Sequence, residues 1–213
     1  DNPSGEIRDH EIAEVLRSMA TARGSRGIVA ADLAYWPFRQ LLGARPSLQL
    51  DTPWSNEVVQ LWSPNKLHGL TGVRAAYLIL PASGRHLGRS ELDRLASSWP
   101  LGADGLALLT AHTQLQARRF LDDTAPKLPA WKALQDRRMA AAGWPRTARE
   151  QPFGLWQPPV PRSAQPRWHA QLRSSGIKVR DARSFGRPGW VRLVTRAPQQ
   201  VEDLITITGR YAG

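Results

Sequence analysis

The segment Leu61–Leu80, Leu-Trp-Ser-Pro-Asn-Lys-Leu-His-Gly-Leu-Thr-Gly-Val-Arg-Ala-Ala-Tyr-Leu-Ile-Leu, constrains this chain more than any other. Apolar runs flank it: Val58 to Trp62 before the turn and Ala75 to Leu80 after it both read as strands. The weak alternation of the second run is what a strand covered on both faces shows. Between them, Ser63, Pro64 and Asn65 make a turn, and Gly69 and Gly72 allow backbone to approach a ligand closely. Lys66 sits inside this turn, and lysine is rare here, four of 29 basic residues. A desolvated lysine amine near other cations loses its proton readily and can form a Schiff base with a carbonyl. Ser63, Asn65 and Arg74 carry donors suited to a phosphate. As an isolated Ser-x-x-Lys, the same segment reads first as a surface loop, and the context for the chemical reading comes from elsewhere in the chain.

Upstream, Glu6 to Thr21 reads as an amphipathic helix after the turn Asn2-Pro3-Ser4-Gly5, with Ile7, Ile12, Val15, Leu16 and Met19 at helical spacing. Gly24 and Gly27 end it, and Ile28 to Ala31 is a short buried strand followed directly by Asp32, Leu33, Ala34 and Tyr35. A carboxylate at the C-terminal end of such a strand is where α/β sheets meet ligands, although an aspartate there also suits a helix N-cap. Ser90 is placed to cap a helix over Glu91 to Ser98, with Trp99-Pro100 breaking it. Asp104 opens the longest helical pattern, to about Leu121, with Leu106, Leu109, Leu115 and Phe120 near one face. His112 reads as an ordinary residue of that helix. A second helix runs from Leu128 to Ala142 and closes at Gly143-Trp144-Pro145. Beyond it come an edge strand at Phe153–Trp156, a proline-rich loop from Pro158 to Pro166, and a helix over Arg167–Ser174. Strands at Ile177–Arg180 and Trp190–Val194 and a closing helix from Val201 to Ile207 follow. There is no internal repeat.

These motifs, in their order and spacing, resemble those of fold-type I pyridoxal-phosphate enzymes, in the branch of histidinol-phosphate aminotransferase and threonine-phosphate decarboxylase. Asn2-Pro3-Ser4-Gly5 matches the family's Asn-Pro-Thr-Gly turn, and Asp32-Leu33-Ala34-Tyr35 its Asp-Glu-Ala-Tyr strand end. Ser63, Lys66 and Arg74 match the cofactor-lysine pattern, with Asn65 where a serine often stands. Gly176 to Pro198 resembles the small-domain hairpin. The resemblance implies pyridoxal 5'-phosphate as cofactor, held by Lys66. It implies that Asn2 and Tyr35 hydrogen-bond the ring oxygen, Asp32 pairs with the pyridine nitrogen, and Ser63, Asn65 and Arg74 contact the phosphate. Catalysis would rest on Lys66, Asp32 and Tyr35. Arg192 would clamp the substrate α-carboxylate, as a planar guanidinium does well.

The implied fold class is α/β: the C-terminal part of a large three-layer α/β/α cofactor domain over residues 1–105, then a small α+β domain over 106–213 entered through a long helix. The implied activity is transamination of a small, possibly phosphorylated amino acid or amine, or decarboxylation of threonine phosphate. Members carry a long portion before the Asn-Pro-x-Gly turn, so this chain is expected to be truncated, and a piece that only packs against its missing half is a further reading. The family works as a homodimer with small-molecule amino donors and acceptors, and Trp54 and Trp62 are candidate interface anchors.

Composition narrows the alternatives. A net charge of +11 in 213 residues raises a basic nucleic-acid-binding module. The arginines are spread along the chain without interleaved aromatics, which points away from nucleic acid and equally suits an anionic substrate. With no cysteine there is neither a disulfide nor a thiolate metal site, and a reducing cytoplasm fits. No metal is expected either, and with a mean hydropathy of -0.41 and no run reaching the length of a membrane span, no membrane association is expected.

Overall fold

The structure, a computed structural model, describes residues 14–15, 18, 28–38, 58–81, 88–147 and 151–211. The Asn2–Gly5 turn, nearly all of the Glu6–Thr21 helix, and Trp54 lie outside the described residues; Glu14, Val15 and Ser18 are helical. The fold is a mixture of helices and sheets, and the chain divides into two compact units, Arg8–Ala125 and a second that includes Pro126–Gly213.

In the first unit, strands β1 (Ala30–Asp32), β2 (Val59–Trp62) and β3 (Tyr77–Ile79) form a sheet in that order, β1 parallel and β3 antiparallel to β2. Ala31, Leu33, Val58 and Trp62 make its buried core, so Trp62 is a core residue and not the interface anchor expected of it. Trp62 lies nearly parallel to its cross-strand partner Tyr77, with ring centroids 6.4 Å apart, the aromatic pairing that stabilises an antiparallel ladder. Leu78 and Ile79 on β3 are exposed, so the expected double coverage of that strand is not present among the described residues.

Helices α1 (Arg89–Leu95), α2 (Ala103–His112) and α3 (Leu115–Thr124) follow. Ser90 does not cap α1: the N-cap is Gly88, and the Ser90 hydroxyl donates to the Glu91 carboxylate at 3.1 Å. The single helix expected from Asp104 to Leu121 is two helices. Gln114 is extended, and the Thr113 hydroxyl donates to the Thr110 carbonyl at 2.9 Å. Such back-bonding competes with the helical ladder at the break. Leu106, Leu115 and Phe120 are exposed, and the buried positions are Gly105, Leu108 and Leu121. Leu109 is half-buried, so the apolar face read from the sequence is for the most part not the buried one. Leucines recur so densely here that periodicity alone does not single out the inner face.

The second unit sets helices α4 (Lys127–Ala141), α5 (Gln165–Ser174) and α6 (Pro198–Gly209) with an antiparallel sheet of β4 (Phe153–Trp156), β6 (Val191–Val194) and β5 (Arg180–Asp181), in the order β4-β6-β5. Its core holds Met139, Trp144, Trp156, Trp168, Leu172, Val191 and Leu204. β4 is an edge strand, as expected, yet every residue in it is buried. The strand expected from Ile177 begins only at Arg180. The N–H groups of Gly176 and Ile177 instead donate to the carbonyls of Arg173 and Leu172. Gly176, at φ +77°, makes this left-handed closure of α5, which a side chain would resist.

Buried polar groups link the layers. Trp168 Nε1 donates to Thr208 Oγ1 at 3.1 Å, and that hydroxyl donates to the Leu204 carbonyl at 2.7 Å. Gln135, 2 % exposed, donates to the Val194 carbonyl and accepts from the Arg196 N–H, fixing α4 to the end of β6. Thr208→Val should leave the Trp168 N–H buried and unpaired, a cost of about 1–3 kcal/mol. Urea unfolding followed by tryptophan fluorescence should show a lower midpoint at unchanged slope, with Thr208→Ser close to wild type.

Candidate functional site

The parallel pairing of β1 with β2 carries the site. It sets Asp32 opposite Leu61, so the C-terminal ends of both strands reach the same sheet edge. The Leu33 N–H extends the ladder by donating to the Leu61 carbonyl at 2.9 Å. Asp32 is exposed at this edge, where ligands of α/β sheets are met. One of its oxygens accepts the Ala34 N–H at 2.9 Å. This Asx turn precedes helical residues 36–38, so Asp32 does not occupy the N-cap position itself. Tyr35, half-buried, follows at once.

Lys66 leaves β2 on the turn that starts at Ser63, and its amine lies 5.2 Å from the centroid of the Tyr35 ring. Ring and cation attract at that distance. Asp32, Tyr35 and Lys66 thus share one edge although far apart in sequence. Arg74, exposed, precedes β3, whose antiparallel direction brings its N-terminal end to this edge too.

The turn is braced from within. The Ser63 hydroxyl lies 2.8 Å from Asn65 Oδ1 and 2.9 Å from the Ala75 carbonyl, and can donate to either. Asn65 Nδ2 donates to the Val73 carbonyl at 3.0 Å, and the Asn65 carbonyl accepts the Leu70 N–H at 2.7 Å. Asn65 is 3 % exposed. Its amide therefore holds the two ends of the turn together, and the Ser63 hydroxyl does the same. Gly69, at φ +70° with open space around it, supplies the left-handed residue the turn needs.

One pair escaped the sequence reading. His68 Nε2 and His112 Nδ1 lie 2.9 Å apart, one ring donating and the other accepting. Their ring planes stand 75° to one another, and Phe120 packs on His68. Burial lowers the pKa of both below the ordinary 6.5, and the charge of His68 lowers that of His112 further. Only a contact across 44 residues reveals this pairing; neither histidine has a partner nearby in sequence.

Arg192 belongs to the second unit. Its guanidinium lies 4.2 Å from the centroid of the Phe153 ring, a cation–π contact. With Lys178, Arg180 and Arg196 it lines a cavity of about 490 Å³ that also meets Asp203. Arg180 reaches Ser184 at 3.2 Å and packs over Phe185. Asn2 lies outside the described residues. Among the described residues no cluster of histidine and carboxylate side chains could hold a metal ion, and no helix is long and apolar enough to cross a membrane.

No family model and no curated protein matches this sequence. Solved structures do match the fold. A provisionally assigned aminotransferase from Burkholderia pseudomallei superposes with a TM-score of 0.73 at 22% identity, over 100% of this chain and 59% of that one. Histidinol-phosphate aminotransferase from Sinorhizobium meliloti, in complex with pyridoxal-5'-phosphate, gives 0.69 at 18% identity, covering 100% and 55%. L-threonine-O-3-phosphate decarboxylase from Porphyromonas gingivalis gives 0.60 at 18%, covering 99% and 62%. The chain thus has the α/β fold of these enzymes and spans somewhat more than half their length.

Asn65→Ala should free the Val73 carbonyl and loosen the Lys66 turn at a cost of about 1–3 kcal/mol. Limited trypsin digestion should then cut after Lys66 or Arg74 markedly faster than in wild type, with cleavage in the second unit unchanged.

Proposed function

We propose that this chain carries the cofactor-lysine part of a pyridoxal-phosphate-dependent aminotransferase. The observation that carries this reading is the convergence of Asp32, Tyr35 and Lys66 on one sheet edge, in the fold the aminotransferase structures share. The donor set fits the cofactor: an amine, an exposed carboxylate, a phenol and an exposed guanidinium. Bound pyridoxal phosphate supplies a reactive aldehyde and an electron-withdrawing ring.

The chain's own residues have distinct work in this proposal. The Lys66 amine would hold the cofactor and would be the group that accepts and returns a proton at the substrate Cα. The Asp32 carboxylate favours a protonated ring nitrogen by its charge. Tyr35 and Asn2 orient the ring oxygen. Arg74 meets the phosphate, with Ser63 and Asn65 mainly shaping the turn, since their side-chain donors are engaged within it. Arg192 binds the substrate α-carboxylate. The extra cations beside it, Lys178, Arg180 and Arg196, favour a substrate with a second anionic group, such as a phosphate. Decarboxylation uses the same residues, and the fold shared with a threonine-phosphate decarboxylase supports it as the second reading. A homodimer belongs to the same proposal, with apolar surface available on the first unit at Leu78, Ile79, Trp99 and Leu106.

Mixing the chain with pyridoxal phosphate should produce the visible absorbance band of the lysine-bound cofactor, and borohydride reduction followed by peptide mapping should place it on Lys66. Lys66→Ala should abolish the band and any turnover while leaving the melting temperature near wild type. A band that survives in that variant, or maps to another lysine, sinks the assignment. Asp32→Asn should still bind cofactor yet slow amine exchange by several orders of magnitude, because an amide cannot sustain the ring charge. Near-normal exchange would reduce Asp32 to a turn residue.

A further inference from the structure

Helix α2 grips the Lys66 turn at two places. Gly105, Leu108 and His112 recur at spacings of three and four and so share one helix face. At Gly105 the helix packs so closely that a Cβ would stand 3.0 Å from the Arg74 carbonyl, at the far end of the turn. Two helical turns on, the same face presents His112 to His68, which sits two residues after Lys66. The other side-chain bonds of the turn, from Ser63 and Asn65, stay within it. The imidazole pair is therefore a lateral tie between the middle of the turn and a helix.

We propose that His68 and His112 are positioning residues: their shared hydrogen bond ties the Lys66 turn to α2 and sets the placement of the Lys66 amine, and it does so only while the two rings are not both protonated.

The chemistry is specific to two imidazoles. A neutral pair has one donor and one acceptor at the contact, and a singly protonated pair keeps both. A doubly protonated pair offers two N–H groups and two like charges, and the bond is lost. Among the described residues, the groups facing the pair are the rings themselves, from the turn and from α2, and the uncharged Phe120 ring from α3. Lys66, on the same turn, directs its amine to Tyr35. No carboxylate contributes to the shift of either ring, and burial holds both below 6.5. With folded values depressed, the stability of the tie is fully present above the unfolded value near 6.5. It is lost as the pH falls through the folded values. Acid should thus release the turn.

The inference takes its functional meaning from the reading of Lys66 given above, but the tie is testable without cofactor. Competitive acylation of the full chain, read by mass spectrometry, gives the reactivity of Lys66 relative to exposed Lys178. In wild type this ratio should be steady near neutral pH and change by about three- to tenfold as the imidazoles protonate, the scale of one ordinary hydrogen bond. His112→Leu should show the changed ratio already at neutral pH and no further step. His112→Gln, whose carbonyl can accept from His68 Nε2–H, should keep the wild-type neutral ratio without the acid step. His68→Phe is the second variant should His112→Leu not fold, and melting curves establish which variants are folded. A wild-type ratio that is flat with pH, or a folded His112→Leu or His68→Phe with wild-type ratio and pH step, overturns the proposal. Absence of the cofactor band on adding pyridoxal phosphate would instead count against the enzyme reading alone.

Discussion

The arrangement of the first unit depends on the parallel pairing of β1 with β2. Parallel strands cannot be joined by a tight hairpin, so a long connection must separate them in sequence, and residues 33–58 are that connection. The reward is geometric. Both strands end at the same edge, and whatever follows each of them is delivered to one place: Asp32 and Tyr35 from β1, the Lys66 turn from β2. β3, returning antiparallel, brings Arg74 to the same edge. An antiparallel β1–β2 pair would have sent these groups to opposite ends of the sheet.

Delivery to an edge does not by itself hold a lysine in place, because a turn this rich in glycine has much conformational freedom to lose. The chain meets that cost with short, buried bonds. Asn65 stands where the resemblance puts a serine, and its larger amide spans the turn to Val73 while accepting from Ser63. Asn65 thus braces the turn from within, between Lys66 and Arg74. The tie to α2 acts from outside, through Gly105 and the imidazole pair.

The two units are built on different principles. The second is organised by tryptophan: Trp144, Trp156 and Trp168 are fully buried and account for much of the apolar surface removed from water. Their polar edges matter as well, as the Trp168–Thr208 bond shows. Among the described residues, the first unit has a small core and leaves Leu95, Trp99 and Leu106 largely exposed. Its turn is held instead by directional bonds of Ser63, Asn65 and the histidine pair.

The amino-acid sequence by itself determined the local pieces. Apolar runs bounded by turn residues place β2 and β6 to within a residue or two, Gly143 closes α4, and an aspartate at the end of β1 and a lysine in the turn after β2 are legible in the sequence itself. These features depend on near neighbours in the chain, and their signals are written there. Tertiary structure alone decided the rest. It split the Asp104–Leu121 pattern at Thr113, buried Leu108 in place of Leu106, and began β5 late because Ile177 was needed to close α5. It brought Tyr35 to Lys66 and His68 to His112. The physical reason is the same each time: which face of a helix is buried, and which distant ring completes a hydrogen bond, is set by what packs against it, and no local periodicity carries that information.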